Sequence, residues 1–252
     1  MSELGNWLNS VPIFTRYWLL LTAGLTLLGR CGFVDSITMI LLRDRFIHNF
    51  EIWRPVTSLF FYPLNRATGF HFLINCYFLY NYSLRLERGV FDGRPADYCF
   101  MLLFNWICCV VIGLFADFHL LMDPMVLSVL YVWCQLNPEI VVNFWLGTQF
   151  KAVYLPWVLF GFNLIISGGG MLELIGILVG HLYFFLKFKY PQEFGGLDLL
   201  STPKILEYYF PLERTGVRGF GSAPIQRPGT RPAQVPRNMM GGHNWGRGHV
   251  LG

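Results

Sequence analysis

The segment that decides the fold is residues 97–116, DYCFMLLFNWICCVVIGLFA, in which Asp97 is the only charged residue. A run of this length and apolarity predicts a helix that crosses a membrane. Five further apolar segments lie on either side of it, each bracketed by charges, Pro or Gly: 17–33, 70–83, 120–136, 152–167 and 171–188. The sequence therefore predicts an all-α membrane protein with six transmembrane helices.

The composition indicates that lipid is the surrounding solvent. Of the 252 residues, 54% are hydrophobic and only 13% are charged, about half of the roughly 25% that is usual in soluble domains. The chain also contains 24 Phe, 12 Tyr and 8 Trp. A soluble fold of this length has too few charges to cover so much apolar surface. The net charge of +4 is too modest to argue by itself for nucleic acid.

The cysteines do not indicate a metal site. All six lie in or beside apolar stretches, and no pair has metal-ligand spacing supported by His or by a second Cys pair. We interpret them as buried free thiols, and we expect no metal and no cofactor.

Several apolar segments are short for a membrane. Their uninterrupted cores of about 13–18 residues would span roughly 20–27 Å as helices, against a hydrocarbon core of ~30 Å. Two explanations stay open: either the helices thin the bilayer around them, or the segments extend by another turn at each end.

The Lys and Arg residues predict the orientation. With both termini in the cytosol, the cytosolic side holds 14 basic residues and the opposite side holds 5, as the positive-inside rule requires. The first run is interpreted as a retained helix, because Glu3 precedes it and no clean cleavage site follows. The first loop, 34–69, is an exception, since it carries four basic residues. Its mixture of aromatic and basic side chains fits a structured element in the membrane interface.

Three regions are predicted along the chain: a membrane domain at 1–190, a linker with a short amphipathic helix at 191–212, and a tail at 213–252. In the linker, Thr202 as N-cap and Pro203 at the first helical position predict a helix start. Residues 214–252 contain six Arg, nine Gly and four Pro. Such a segment buries too little surface to offset its chain entropy, so the tail is predicted to be disordered and cytosolic.

Polar residues inside the apolar segments are candidates for function, because they are costly in lipid. His71 and Asn75 are four residues apart and share a helical face. Gly176 and Gly180 form a GxxxG, which lets another helix approach closely. Packing could be the whole role of these glycines.

Ser128 and His181 raise the question of an intramembrane protease, which needs a Ser, a His and oxyanion donors close together. Ser128 has bulky neighbours that would crowd a scissile backbone, and His181 points about 100° away from Gly180 around the helix. We favour the interpretation in which polar atoms of the bundle satisfy each side chain. No catalytic residue is predicted.

Several of these positions resemble the rhomboids. In rhomboid proteases the catalytic His lies three residues before the first glycine of the last helix, where this chain has Glu173, and the Gly-x-Ser-Gly of the nucleophile is missing. The resemblance implies a six-transmembrane rhomboid-like helical bundle without the catalytic dyad. The positions that resemble motifs of the first loop, the second helix and the last helix are Trp53, Arg54, His71, Asn75, Glu87, Gly176 and Gly180.

Longer stretches resemble the Derlins, and within that family the chain looks closest to the first paralogue. The resemblance implies a pseudoprotease of the endoplasmic reticulum membrane that binds misfolded proteins and lipid, thins the bilayer and delivers substrate to a cytosolic AAA ATPase. It also implies an ER ubiquitin-ligase complex and further Derlin copies as partners. The matching stretches are 52–57 (IWRPVT), 91–98 (FDGRPADY), 103–107 (LFNWI), 130–133 (LYVW) and 201–203 (STP).

The last ten residues, 243–252 (HNWGRGHVLG), suit an extended peptide that adds to the edge of a sheet. Glycine permits close backbone approach. The stretch resembles the Derlin SHP box, which binds the N-domain of the valosin-containing ATPase, although Arg247 stands where Gln is usual. An Arg-Gly arm that touches RNA or anionic lipid is the alternative, but we predict no nucleic-acid partner. The residues assigned to the ATPase are His243, Asn244, Trp245, Gly246, Gly248 and Leu251.

The predicted function is therefore retrotranslocation of misfolded proteins in ER-associated degradation. The chain has no Walker motif, so the pulling force must come from a partner. Two rivals remain: an active intramembrane serine protease, and a channel or transporter. No inverted repeat or pair of discontinuous helices is evident in support of a transporter.

Overall fold

The computed structural model describes residues 3–66, 68–143, 147–167, 169–193 and 199–212. These residues are mostly helical. The α-helices are α1 (Glu3–Ser10), α2 (Ile13–Arg30), α3 (Ser36–Met39), α4 (Arg43–His48), α5 (Arg54–Phe60), α6 (Gly69–Arg85), α7 (Pro95–Ala116), α8 (Met122–Leu136), α9 (Leu155–Ser167), α10 (Met171–Phe184), α11 (Tyr190–Glu193) and α12 (Lys204–Tyr209). Wider π-type turns follow α6 and α10, at Leu86–Val90 and Phe185–Lys189.

A short hairpin precedes α9. Its strands, β1 (Val141–Asn143) and β2 (Gln149–Lys151), pair antiparallel with Val142 opposite Phe150. A 3-10 turn at Ala152–Tyr154 leads from the hairpin into α9.

The six predicted apolar segments correspond to the six longer helices, α2 and α6 to α10. The bounds of the first segment were wrong, since α2 begins at Ile13 and ends at Arg30 rather than running from 17 to 33. Pro12 supplies a pre-set φ of −57° immediately before the helix. Gly32, with a φ of +78°, turns the chain away just after it.

Helix α8 forms the centre of the bundle. Every residue from Met122 to Cys134 is buried, whereas the surrounding helices bury one face each. Exposed large apolar side chains cover the outside of the bundle, among them Leu20, Leu27, Leu73, Tyr77, Ile107, Val111, Phe115, Trp157, Ile165 and Leu178. An apolar exterior around a buried central helix is the arrangement expected of a protein whose solvent is lipid.

Helix α10 lies directly against α8 because two glycines face it. A Cβ atom added to Gly176 would come within 2.6 Å of the carbonyl oxygen of Pro124. A Cβ added to Gly180 would come within 2.7 Å of the carbonyl oxygen of Ser128. The backbones of the two helices therefore touch where a side chain would otherwise separate them.

Two helical runs in the described part of the chain are long and apolar enough to cross a membrane: Pro95–Ala116, and Met171–Glu193, which continues from α10 through its π turn into α11. Helices α8 and α9 are also apolar but shorter. At 1.5 Å per residue, the 13 residues of α9 span about 20 Å. The helices and their apolar exterior indicate a membrane protein.

The first loop is a compact group of three short helices, α3 to α5. Ile52 and Trp53 project outward and are 71% and 52% exposed, whereas Phe61 and Tyr62 are buried. We refer to the side of the bundle that carries α3 to α5 as the first-loop end, and to the opposite side, with α1 and α12, as the terminal end.

The linker helix starts one residue later than predicted. Pro203 is the N-cap of α12, and the first helical residue is Lys204. Thr202 does not cap the helix, because its hydroxyl donates to Oδ1 of Asp97 on α7 at 2.6 Å. Lys187 donates to the carbonyl oxygen of Leu200 at 2.5 Å. These bonds hold the linker against the terminal end of the bundle.

The cysteines are only partly as expected. All six are free; Cys109 and Cys134 are buried, but Cys76, Cys99 and Cys108 are half-buried and Cys31 is exposed. Burial of all six was therefore wrong, because three sit on outward helix faces and Cys31 lies just past the end of α2.

We expect Gly180→Ala to destabilise the bundle by roughly 1–3 kcal/mol, since overpacking a tight interface forces the backbone to shift. The matched control is Gly24→Ala in α2, where an added Cβ meets nothing within 4 Å. The control should keep or slightly raise the melting temperature, because Ala is the better helix former. Thermal unfolding of both purified variants in mild detergent tests the difference, and equal melting temperatures would contradict the contact.

Candidate functional site

A polar cluster lies at the first-loop end, where α6, α8 and α10 meet. Asn75 donates from Nδ2 to Oδ1 of Asp123, the second residue of α8, at 2.5 Å. The same amide nitrogen lies 3.3 Å from Nδ1 of His71. The two polar positions predicted to share a face of this helix therefore adjoin a buried carboxylate of another helix.

His71 shares a hydrogen bond with Tyr62, which precedes α6. The Tyr62 hydroxyl lies 2.7 Å from Nδ1 of His71. Burial, and secondarily the charges of Asp123 and Glu173, raise the pKa of Tyr62 well above its ordinary value, so the hydroxyl keeps its proton. Which of the two groups donates in this bond depends on which ring nitrogen of His71 carries the proton. Nε2 lies 3.9 Å from Oε1 of Glu173 on α10.

Helix α9 joins this cluster through one side chain. Asn163 donates from Nδ2 to Oε1 of Glu173 at 2.7 Å. Sequence reasoning missed Asn163, although it stands in an apolar run as Asn75 does and the same cost of a polar group in lipid singles it out. Asp123 was not among the predicted site residues either.

An apolar crevice of about 390 Å³ opens beside the cluster, between α6 and α9. A second, much smaller pocket of about 20 Å³ lies next to it, where Asn75, Asp123, Asn163 and Glu173 converge. The crevice is lined by Leu73, Ile74, Tyr77, Phe78, Tyr82, Asn143, Leu155, Leu159 and Phe162. Ile74, Phe78 and Leu159 line both cavities, so they form the partition between them.

Ser128 and His181 form hydrogen bonds with different partners. Ser128 is fully buried, and its hydroxyl donates to the carbonyl oxygen of Met125 at 2.8 Å. Nδ1 of His181 shares a hydrogen bond of 2.8 Å with the hydroxyl of Tyr131. Across the residues described, no hydrogen bond joins Ser128 to His181, and no group of three or more His, Cys, Asp and Glu is arranged to hold a metal ion.

Arg54 organises the first loop from the inside. Its side chain is 1% exposed and donates from Nη1 to the carbonyl oxygens of Ile37 and Ile40, at 2.7 and 2.8 Å. Its Nε pairs with Glu51. Three acceptors in different directions match the fork of donors that a guanidinium offers. Trp53, the preceding residue, is half-exposed on the outer surface.

Glu87 caps the N-terminal end of α2. The N-cap of that helix is Pro12, which has no side-chain acceptor. Glu87 accepts instead from the backbone N–H groups of Phe14 and Thr15, at 3.0 and 2.9 Å, and from the Thr15 hydroxyl at 2.8 Å. A carboxylate on the positive end of the helix is electrostatically favourable.

The predicted site residues thus fall into separate places. His71 and Asn75 lie in the polar cluster, Gly176 and Gly180 in the contact between α8 and α10, Trp53 and Arg54 in the first loop, and Glu87 at the terminal end. The ATPase-binding positions lie outside the described residues: His243, Asn244, Trp245, Gly246, Gly248 and Leu251.

We expect Arg54→Lys to lower stability by roughly 2 kcal/mol, because an ammonium cannot bond all three acceptors at once and hydrogen bonds to charged groups are worth about 1.5–3 kcal/mol each. Arg43→Lys, at an exposed position of α4, is the matched control. Melting temperatures of the two variants in the same detergent give the comparison. A loss no larger than that of the control would show that Arg54 does not hold the loop.

The comparisons with known proteins agree with this architecture. The family model described as Der1-like family matches residues 11–204. Derlin-1 of Homo sapiens is 53% identical over 252 residues, which cover 100% of this chain and 99% of that protein. Derlin-1 of Caenorhabditis elegans is 50% identical over 96% of this chain and 95% of its own length, and Derlin-1 of Drosophila melanogaster is 41% identical over 99% of both. The chain belongs to the Der1-like family.

Proposed function

We propose that this protein is a non-catalytic factor of the endoplasmic reticulum membrane that moves misfolded proteins toward the cytosol in ER-associated degradation. The observation that carries the proposal is the crevice between α6 and α9, an apolar opening on the side of the bundle next to a polar cluster. Membership of the Der1-like family is consistent with this role.

In this proposal all six longer helices cross the membrane, with both termini in the cytosol. The first-loop end then faces the lumen and the terminal end faces the cytosol. The central α8 is surrounded by protein, so its 15 residues need not match the bilayer. Helix α9 does face outward, with Ile165 85% exposed, and spans only about 20 Å. Bilayer thinning beside α9 would relieve this mismatch.

The crevice is where a substrate segment would enter. Its walls are apolar at the level of α6 and α9, and Leu73 and Tyr77 on its rim are 66% and 60% exposed. Helix α9 is the shortest of the six longer helices. Of the two walls, it therefore loses fewer packing contacts when the crevice opens. A hydrophobic segment seated there would exchange lipid for protein contacts at little cost.

The absence of proteolysis in this proposal is supported by the state of Ser128. Its buried hydroxyl already donates to a carbonyl of its own helix, and the backbone of α10 at Gly180 lies against its carbonyl. A nucleophile needs a base within hydrogen-bond reach and room for a scissile carbonyl. His181 is engaged with Tyr131 instead. By the rhomboid resemblance, Glu173 occupies the position of the catalytic His.

The tail would recruit the valosin-containing AAA ATPase, whose ATP hydrolysis supplies the pulling force. The residues that precede the tail, 199–212, are hydrogen-bonded to the terminal end of the bundle through Asp97 and Lys187. In this proposal that end faces the cytosol, where the ATPase is. Phe210 also packs on Phe14 of α2, with ring centroids 5.1 Å apart. An ER ubiquitin-ligase complex and further copies of this family are the other proposed partners.

The test is a degradation chase of a misfolded luminal protein in cells that lack this chain. Wild type, Ser128→Ala, His181→Ala and a truncation of residues 241–252 are returned separately. We expect the truncation to slow degradation several-fold and both point variants to match wild type, with immunoblots confirming equal amounts of each. A dispensable tail, together with loss of degradation and of a cleavage product in Ser128→Ala, would identify a protease instead.

A further inference from the structure

Two acidic side chains lie behind the crevice without a Lys or Arg partner. Asp123 and Glu173 both line the small pocket, and neither this pocket nor the crevice has a Lys or Arg among its lining residues. Each carboxylate accepts one side-chain hydrogen bond through one oxygen, from Asn75 and from Asn163 respectively. In the described part of the chain, no donor bonds the second oxygen of either group.

The other titratable groups that face this pair are Tyr62 and His71. The Tyr62 hydroxyl lies 2.7 Å from Nδ1 of His71, and Nε2 of His71 lies 3.9 Å from Oε1 of Glu173, which is longer than a hydrogen bond. Two acidic side chains beside an apolar cavity are costly unless a cation or several donors reach them. The pocket is therefore chemically complementary to a positive group.

The size of the pocket limits which positive group fits. At about 20 Å³ it accommodates one water-sized group. An ammonium has that size, whereas a planar guanidinium is larger than the pocket. The four polar side chains around it supply acceptors for the three donors of an ammonium.

A lysine side chain would reach the small pocket from the crevice. Ile74, Phe78 and Leu159 separate the two cavities, and all three are flexible apolar side chains rather than backbone. A lysine on a helix seated between α6 and α9 would pass its four-carbon stem through this partition. The stem would stay in apolar surroundings while the charged end reached the acids.

We propose that the pocket formed by Asn75, Asp123, Asn163 and Glu173 receives the lysine ammonium of a membrane-embedded substrate segment that docks in the crevice. This inference rests on the proposed function and names a substrate class for it: single membrane-spanning segments with a lysine in the luminal third. Such a lysine is unfavourable in lipid, so an unassembled segment that carries one gains more from this site than a purely apolar segment does.

The test is site-specific photo-crosslinking of the full-length protein in phosphatidylcholine vesicles. Tyr77, on the rim of the crevice, is replaced by a photoreactive amino acid. The probes are leucine-rich single-span peptides that differ at one luminal-third position, which is Lys, Gln, Arg or Leu. We expect the Lys peptide to cross-link about tenfold more than the Gln peptide, as one charge-assisted hydrogen bond allows, and more than the Arg peptide.

Variants of the protein test which acidic side chains bind the ammonium of the Lys peptide. Glu173→Gln should reduce the yield with the Lys peptide to that with the Gln peptide, and Asp123→Asn should act in the same direction. Glu139→Gln, a matched change at an exposed residue paired with Lys151, should change nothing. The comparison of peptides on the wild-type protein decides the matter even if the variants fold poorly.

Equal yields with the Lys and Gln peptides would overturn the inference and leave a pocket that holds water only. Cross-linking of all peptides alike would overturn the lysine preference while leaving the crevice as the docking place. Failure of the proposed function gives a different result: the tail truncation would then leave the degradation rate in the chase experiment unchanged. No cross-link with any peptide would overturn docking in the crevice as a whole.

Discussion

The close contact between α8 and α10 is the constraint on which the rest of the structure depends. Gly176 and Gly180 bring two backbones together where any side chain would hold them apart. In lipid there is no hydrophobic drive to hold helices together, so van der Waals contact of this kind is a main source of association. Helices α8 and α10 together form a firm half of the bundle. Their positions determine where the polar side chains at the ends of both helices meet.

The opposite half of the bundle is looser. Helix α9 is short, and the crevice separates it from α6. Among the residues that the structure describes, one side-chain hydrogen bond, from Asn163 to Glu173, connects α9 to the firm pair at the first-loop end. A molecule with a rigid half and a lightly attached helix can admit a segment from the side without dismantling its core. In the proposed function, the pulling force comes from a partner.

Buried and half-buried polar groups hold the two ends of the bundle in register. At the first-loop end, the Arg54 guanidinium satisfies two carbonyls of the loop, and the indole of Trp106 on α7 donates to the carbonyl of Pro55 at 2.9 Å. At the terminal end, Glu87 completes the first turn of α2. Each of these groups would be costly if left without a partner in an apolar environment. Together they define the two surfaces between which the crevice runs.

The sequence predicted the six longer helices because lipid demands continuous apolar runs, a signal that needs no knowledge of tertiary contacts. It predicted that His71 and Asn75 share a face, since helical spacing alone determines this. It did not predict that Asp123 and Asn163 join them, because those residues come from other helices. The partnership of Glu87 with Thr15 spans 72 residues of sequence, and no local pattern carries such information. Thr202 was misassigned as a cap because its bond to Asp97 spans 105 residues, which is further still.

The central claim is that the crevice between α6 and α9 must open for the protein to work. It is tested most directly by locking the crevice with a cleavable bifunctional thiol reagent across Leu73→Cys and Phe162→Cys, in a chain whose accessible native cysteines are replaced by alanine. Degradation of a misfolded membrane protein is then followed in permeabilised cells, with each single cysteine variant as control. The account predicts that only the doubly modified chain stops degradation, and that cleaving the reagent restores it. Degradation at the wild-type rate with the crevice locked would contradict the account.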